Sequence, residues 1–157
     1  MAYRFAVNGT LNAAMGATIK TSMETHATTG ATTLRRGNIY FIMNAIAQAG
    51  TVADQVFSTR LQRTTAAGTA SAYIANPLDP ADAAALLTSN NNHTVEPTYT
   101  ANVDLIFTTQ HVRATLQIHL QPDSHLIIPN TNVAGIGMQN GSAAYTGNIL
   151  PTWHYME

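Results

Sequence analysis

The chain is predicted to be all-β: an antiparallel sandwich, jelly-roll-like, with one short helix near residues 80–88. Three observations predict it. The segment VRATLQIHLQ at 112–121 places Val112, Ala114, Leu116, Ile118 and Leu120 on one side and Arg113, Thr115, Gln117, His119 and Gln121 on the other. A period of two puts one row on a core and the other in water. The composition is led by Ala and Thr, with many Asn and Gly; Thr favours strands, whereas Asn and Gly favour turns. About eight short apolar runs recur between turn signals, and a jelly roll is a common way to close eight strands into two sheets.

The elements follow in order. Residues 2–7, AYRFAV, read as a short strand. Residues 9–33 are poor in large apolar groups and read as extended arm, loop or a weak strand around Thr18 to Met23, so that 1–33 forms an N-terminal arm on a single domain over 1–157. The run IYFIMNAIA at 39–47 fits helix spacing through Ile39, Ile42, Met43 and Ile46, but its Ile and Tyr content favours a doubly buried strand. QVFSTRLQR at 55–63 is expected to be its hairpin partner across AGTVAD, and TASAYIA at 69–75 a further strand. Asp79-Pro80-Ala81-Asp82 supplies an N-cap, a proline at the first helical position and an acid in the first turn, so a short helix is expected there.

From Val95 to Phe107 alternate residues are again mostly apolar: Val95, Pro97, Tyr99, Ala101, Val103, Leu105 and Phe107, with Ile106 spoiling the polar row. This strand and 112–121, joined through Thr109-Gln110-His111, are expected to make an antiparallel pair. Pro122-Asp123 breaks the second strand, and His125 to Ile128 is expected to fold back beside it. Asn140-Gly141 is a tight-turn signal, followed by the strands AYTGNIL and TWHYM.

Composition bounds the chemistry. Charged residues are 10% of 157, and the net charge is −1. The usual charged fraction is about 25%, and broad attraction to nucleic acid or an anionic membrane is not expected. Absence of cysteine excludes disulfides and thiolate metal sites. No apolar run approaches the ~20 residues of a membrane span, and residues 1–20 show no export signal. The sequons at Asn8, Asn92 and Asn140 are expected to be incidental. So few charges suit a surface that lies against other proteins, where each buried charge must be desolvated.

Candidate reactive residues are sparse. His119 and His125 flank the turn holding Asp123, and a metal or hydrolase site would have to assemble from those three; the spacings are poor, and exposed histidines are the expected reading. No metal, cofactor or catalytic set is expected. Trp153 and Tyr155 offer either a sugar-binding platform of a fibre or spike module, or core aromatics on a final strand. Arg35-Arg36 beside Lys20 reads as a small basic patch for an acidic protein partner.

RLQRTTAAGTASAYIANPLDPADAAA at 60–85, followed by NHTVEPTYTANVDL at 92–105, resembles small jelly-roll accessory virion proteins of tailed bacteriophages. The shared pattern is a strand ending in arginine, a Thr-Ala-Gly-Thr turn and a Leu-Asp-Pro-Ala-Asp start. At the C-terminal end it is a hydrophobic-proline step at Leu126 to Pro129, then Thr146-Gly147, an aromatic strand and Glu157. The resemblance implies a capsid decoration or cement protein on the virion exterior, bound to the major capsid protein. Few charges to protect strand edges, and a soft arm that gains order on a neighbour, favour a homo-oligomer, with a trimer expected at the threefold points of a capsid. Lys20, Arg35 and Arg36 are the expected partner-binding residues.

Overall fold

A computed structural model describes residues 2–9, 18–28, 34–48, 55–131, 133–141 and 147–157. The described chain is nearly all β in class, with 67% of it in strands, and two antiparallel sheets pack as a sandwich. The strands are β1 Arg4–Asn8, β2 Lys20–Ala27, β3 Gly37–Gln48, β4 Val56–Ala66, β5 Thr69–Tyr73, β6 Asn76–Pro77, β7 Leu87–Val95, β8 Thr98–His111, β9 Leu116–His119, β10 Leu126–Ile128, β11 Gly135–Gly141 and β12 Asn148–Met156, with a single 3₁₀ turn at Pro122–Ser124. The first sheet runs β10-β3-β12-β1-β6, with β9 beside β10 on the same edge of β3; the second runs β5-β7-β2-β11-β4-β8.

The chain changes sheet at each step from β1 to β4, and again from β8 to β9, from β10 to β11 and from β11 to β12. β12 lies between β1 and β3, and β11 between β2 and β4. That is the jelly-roll order. β5, β6 and β7 are inserted between its two halves and extend both sheets.

The core is what joins the layers. Phe5, Met23, Ile39, Ile42, Leu61, Ile136, Met138, Trp153 and Tyr155 are wholly buried in one cluster drawn from both sheets. Phe5 stacks on Tyr155 with ring centroids 5.4 Å apart. Burial of each such side chain stabilises the fold by about 1.5–3 kcal/mol. Polar links cross the gap: Trp153 Nε1–H donates to Thr25 Oγ1 at 3.0 Å, and Thr25 in turn meets Ser89 Oγ of its own sheet at 2.9 Å. A second network ties Asn44 of β3 to Thr59 and Asn140 of the opposite sheet at 2.9 and 2.6 Å.

Several local expectations change. No helix forms at 80–88. The capping signals act, since Asp79 Oδ1 accepts the Ala81 N–H at 2.9 Å and the Asp79 carbonyl accepts the Asp82 N–H at 3.0 Å. The turn then stops. Ala83, Ala84 and Leu86 are exposed, so a helix there has no apolar face to bury, and Leu87 instead pairs with Ala27 to start β7. The expected pair of 95–107 with 112–121 is also not a hairpin: β8 pairs with β4, whereas β9 crosses to β3 in the other sheet. β10 does not fold back on β9 either; both line the same edge of β3 in succession. β3 is a strand, as its composition favours, but β4 lies in the opposite sheet.

The alternation of 95–107 fails for a visible reason. Between the pairs Gln62↔Asp104 and Thr64↔Tyr99, β8 carries extra residues that bulge outward around Asn102, which has φ 59°. The bulge reverses the phase. Ile106, the residue that spoiled the polar row, faces Leu61 and packs on the core, while Phe107 is exposed beneath the Arg60 guanidinium, 5.1 Å from its ring centroid. In contrast, 116–120 alternates as read, with Leu116, Ile118 and Leu120 half-buried and Gln117 and His119 exposed. Of the segment 9–33, Lys20–Ala27 is the near-central strand β2; 10–17 and 29–33 lie outside the described residues, as do all of AGTVAD and most of AYTG.

Candidate functional site

The outer face of the first sheet gathers rings. β12 alternates Trp153, His154, Tyr155, and the two large aromatics are fully buried, so His154 points outward. The register with β3 slips at this point: His154 pairs with Phe41 but Tyr155 with Ile39, leaving Tyr40 as an extra residue. Such a bulge places two successive side chains on one face, and with Ile39 and Ile42 inside, Tyr40 and Phe41 both face out. On the next strand Phe41 pairs with His119.

The result is a connected patch of five rings that runs from β9 over β3 to β12 and doubles back over β3 to His125, just before β10. His119 lies 4.7 Å from Phe41, Phe41 4.9 Å from His154, His154 6.0 Å from Tyr40 and Tyr40 6.1 Å from His125, centroid to centroid. Neighbouring planes are inclined by 45° to 65°, so the patch is corrugated. Ala6 and then Asn76 continue it across β1 and β6. Burial pushes the His154 imidazole below its ordinary value and the Tyr40 phenol above its own, the latter partly offset by the Arg4 charge. His154 is therefore neutral at physiological pH, a hydrogen-bonding ring rather than a cation.

A second polar cluster lies on the outer face of the other sheet. The Glu24 and His93 side chains are wholly buried, with Oε2 and Nε2 3.4 Å apart. Glu96 of the β7–β8 turn accepts the Thr21 N–H at 2.8 Å and also the Thr21 hydroxyl, which meets Tyr99 Oη at 2.6 Å. Gly137 makes room for that phenol: a Cβ there would sit 2.3 Å from Tyr99 Oη. Burial drives the Tyr99 hydroxyl far above the usual phenol range. The cluster clamps the turn onto β2.

The expected site residues are dispersed. Lys20 begins β2, whereas Arg35 and Arg36 precede Gly37, whose Cα side abuts Leu87; Leu87 pairs with Ala27 at the far end of β2. Seven strand steps, about 23 Å, separate Lys20 from that end, so the three do not make one basic patch. His119, Asp123 and His125 do not converge: Asp123 and His119 are exposed, and the two imidazoles rest on different β3 rings. Among the described residues no group of three or more His, Asp or Glu is placed to hold a metal ion. Trp153 and Tyr155 are core, which removes them as a sugar platform. Tyr40, Phe41 and His154 escaped the sequence reading; alternation about Trp153 and Tyr155 signals His154, but nothing in the sequence marks the bulge that turns Tyr40 outward.

Among the described residues no helix is long and apolar enough to cross a membrane. No protein family, characterised protein or solved structure matches the chain.

Proposed function

We propose that the protein is a structural component of a tailed-phage particle, a decoration protein that docks on the outer capsid surface as a homo-oligomer, with a trimer favoured. The observation that supports it most is the apolar edge made by the β5–β7 insertion. Ile74 is 81% exposed, and Leu78 and Leu86 are each 45% exposed. Ile74 borders a pocket of about 230 Å³ lined by Ala72, Tyr73, Ala75, Ala84, Ala85 and Leu87. β5 is also the open edge of its sheet. An exposed apolar pocket at an open strand edge suits a protein neighbour.

Arg35 and Arg36 stand at the same end of the sandwich, near Leu87. They supply the polar rim that surrounds an apolar interface centre, fitted to acidic groups of a capsid protein. Lys20 lies outside this surface. The test has two arms. Mass measurement by light scattering at micromolar concentration reads the oligomer: a clean monomer overturns the homo-oligomer. Particles assembled with Ile74→Asp or Arg35→Glu/Arg36→Glu protein read the docking: binding to capsids unchanged from wild type overturns the surface. DNA retention on heating of particles with and without the protein reads its stabilising role.

A further inference from the structure

The rings stand on β3, β9 and β12 and at His125 before β10, none of which contributes a residue to that edge. We propose that this face binds a glycan, with the Tyr40 and Phe41 rings stacking on pyranose rings and the imidazoles of His154 and His119 meeting its hydroxyls. Three observations support the assignment.

The first is that the rings are at the surface. Tyr40, Phe41 and His154 are half-buried and His119 is exposed, although core positions one residue away are sealed. The second is the chemistry of the patch. An aromatic ring presents an apolar face with a weakly negative quadrupole, which suits the polarised C–H groups of a sugar ring. A neutral imidazole carries one donor and one acceptor, which suits vicinal hydroxyls. His154 is held neutral by burial. The third is proximity: neighbouring centroids lie 4.7 to 6.1 Å apart, so the five rings form one connected patch large enough to meet more than one pyranose ring.

Other occupants fit less well. An extended peptide gains affinity by pairing with a strand edge, and this patch lies on a sheet face. A nucleic acid needs cations to meet its phosphates, and the chain has a net charge of −1. An organic cation would meet the Arg4 charge that already acts on Tyr40.

The experiment is binding of the full chain to an array of bacterial and plant oligosaccharides, followed by titration calorimetry with the best ligand and with cellohexaose, chitohexaose and purified lipopolysaccharide as fixed probes. Phe41→Leu and Tyr40→Leu keep apolar volume and remove the ring. Each is expected to weaken binding at least tenfold without lowering the melting temperature by more than a few degrees. His154→Gln is expected to weaken it several-fold. Ile74→Asp is expected to leave it unchanged, so the glycan face and the docking edge fail or succeed separately. No binding to any probe at millimolar concentration overturns the proposal. So does binding that survives both leucine variants, or binding abolished only by Arg35→Glu/Arg36→Glu, which would place an acidic glycan elsewhere.

Discussion

Replacing Asn140 by alanine tests what joins the two sheets. Asn140 is 2% exposed, on β11. Its Oδ1 accepts from Asn44 Nδ2 at 2.6 Å and from the Thr59 hydroxyl at 2.8 Å, and its Nδ2 donates to Ser22 Oγ at 2.7 Å. Asn44 comes from the opposite sheet, so one side chain links β3, β4 and β11 and also β2. Alanine removes three buried hydrogen bonds, each with a net contribution of about 1 kcal/mol. Asn44 keeps its bond to Thr59 and Ser22 keeps the Met138 carbonyl, so the orphaned group is chiefly the Thr59 hydroxyl. The space left by the amide adds about 1 kcal/mol more at ~24 cal/mol per Å³. The expected destabilisation is therefore about 3–5 kcal/mol. Urea unfolding followed by Trp153, the one tryptophan of the chain, reads it directly. Asn140→Ala with Asn44→Ala should show a coupling of about 0.5–3 kcal/mol, since both sit in one network. A loss under about 1 kcal/mol, or additive single effects, would refute the view that this network holds the layers in register.

Three other outcomes are expected. Gly137→Ala places a Cβ 2.3 Å from Tyr99 Oη, so the ring must shift off Thr21; a loss of about 1–3 kcal/mol is expected for such overpacking, read by urea unfolding, and Gly137→Ala/Tyr99→Ala should recover part of it. Glu157 accepts the Leu86 and Leu87 N–H groups at 3.1 and 2.9 Å; Glu157→Ala should speed hydrogen exchange at those two amides at least tenfold and leave β3 amides unchanged. The His154 imidazole is held below its ordinary value by burial, so the unfolded chain takes up its proton first. Its contribution to stability is complete above about pH 6.5 and is lost as pH falls below that value; His154→Gln should flatten this part of the stability–pH curve measured by thermal melting.

The candidate face was only partly legible in the sequence. Period-two alternation shows that His119 faces out and, through Trp153 and Tyr155, that His154 does as well. The partners of these imidazoles are not local. Phe41 meets both because β3 lies between β9 and β12, residues separated by more than thirty positions along the chain. Tyr40 joins only because of a one-residue register slip. Lys20 and Arg35 illustrate the opposite error: nearness along the chain suggested a patch, and the antiparallel run of β2 carried them to opposite ends.

The class of fold was legible in the order of the residues alone. Alternation, β-branched and aromatic runs and turn residues are local properties, and they specify strands, their faces and their breaks: β3 as a strand, the outward polar row of β9, the buried Trp153 and Tyr155. Pairing was decided elsewhere. Each strand here has the same chemistry on its edges, backbone N–H and C=O, so any two are able to pair, and the shortest connection favours a hairpin. β8 and β9 instead part into different sheets, because only that arrangement brings Leu61, Ile106, Ile118 and Trp153 into one core. The same competition unmade the helix at 80–88. Its cap was correctly written in Asp79, but burying Leu87 against Ala27 in the sheet offers more than an isolated turn without an apolar face, and that balance exists only once both sheets are in place.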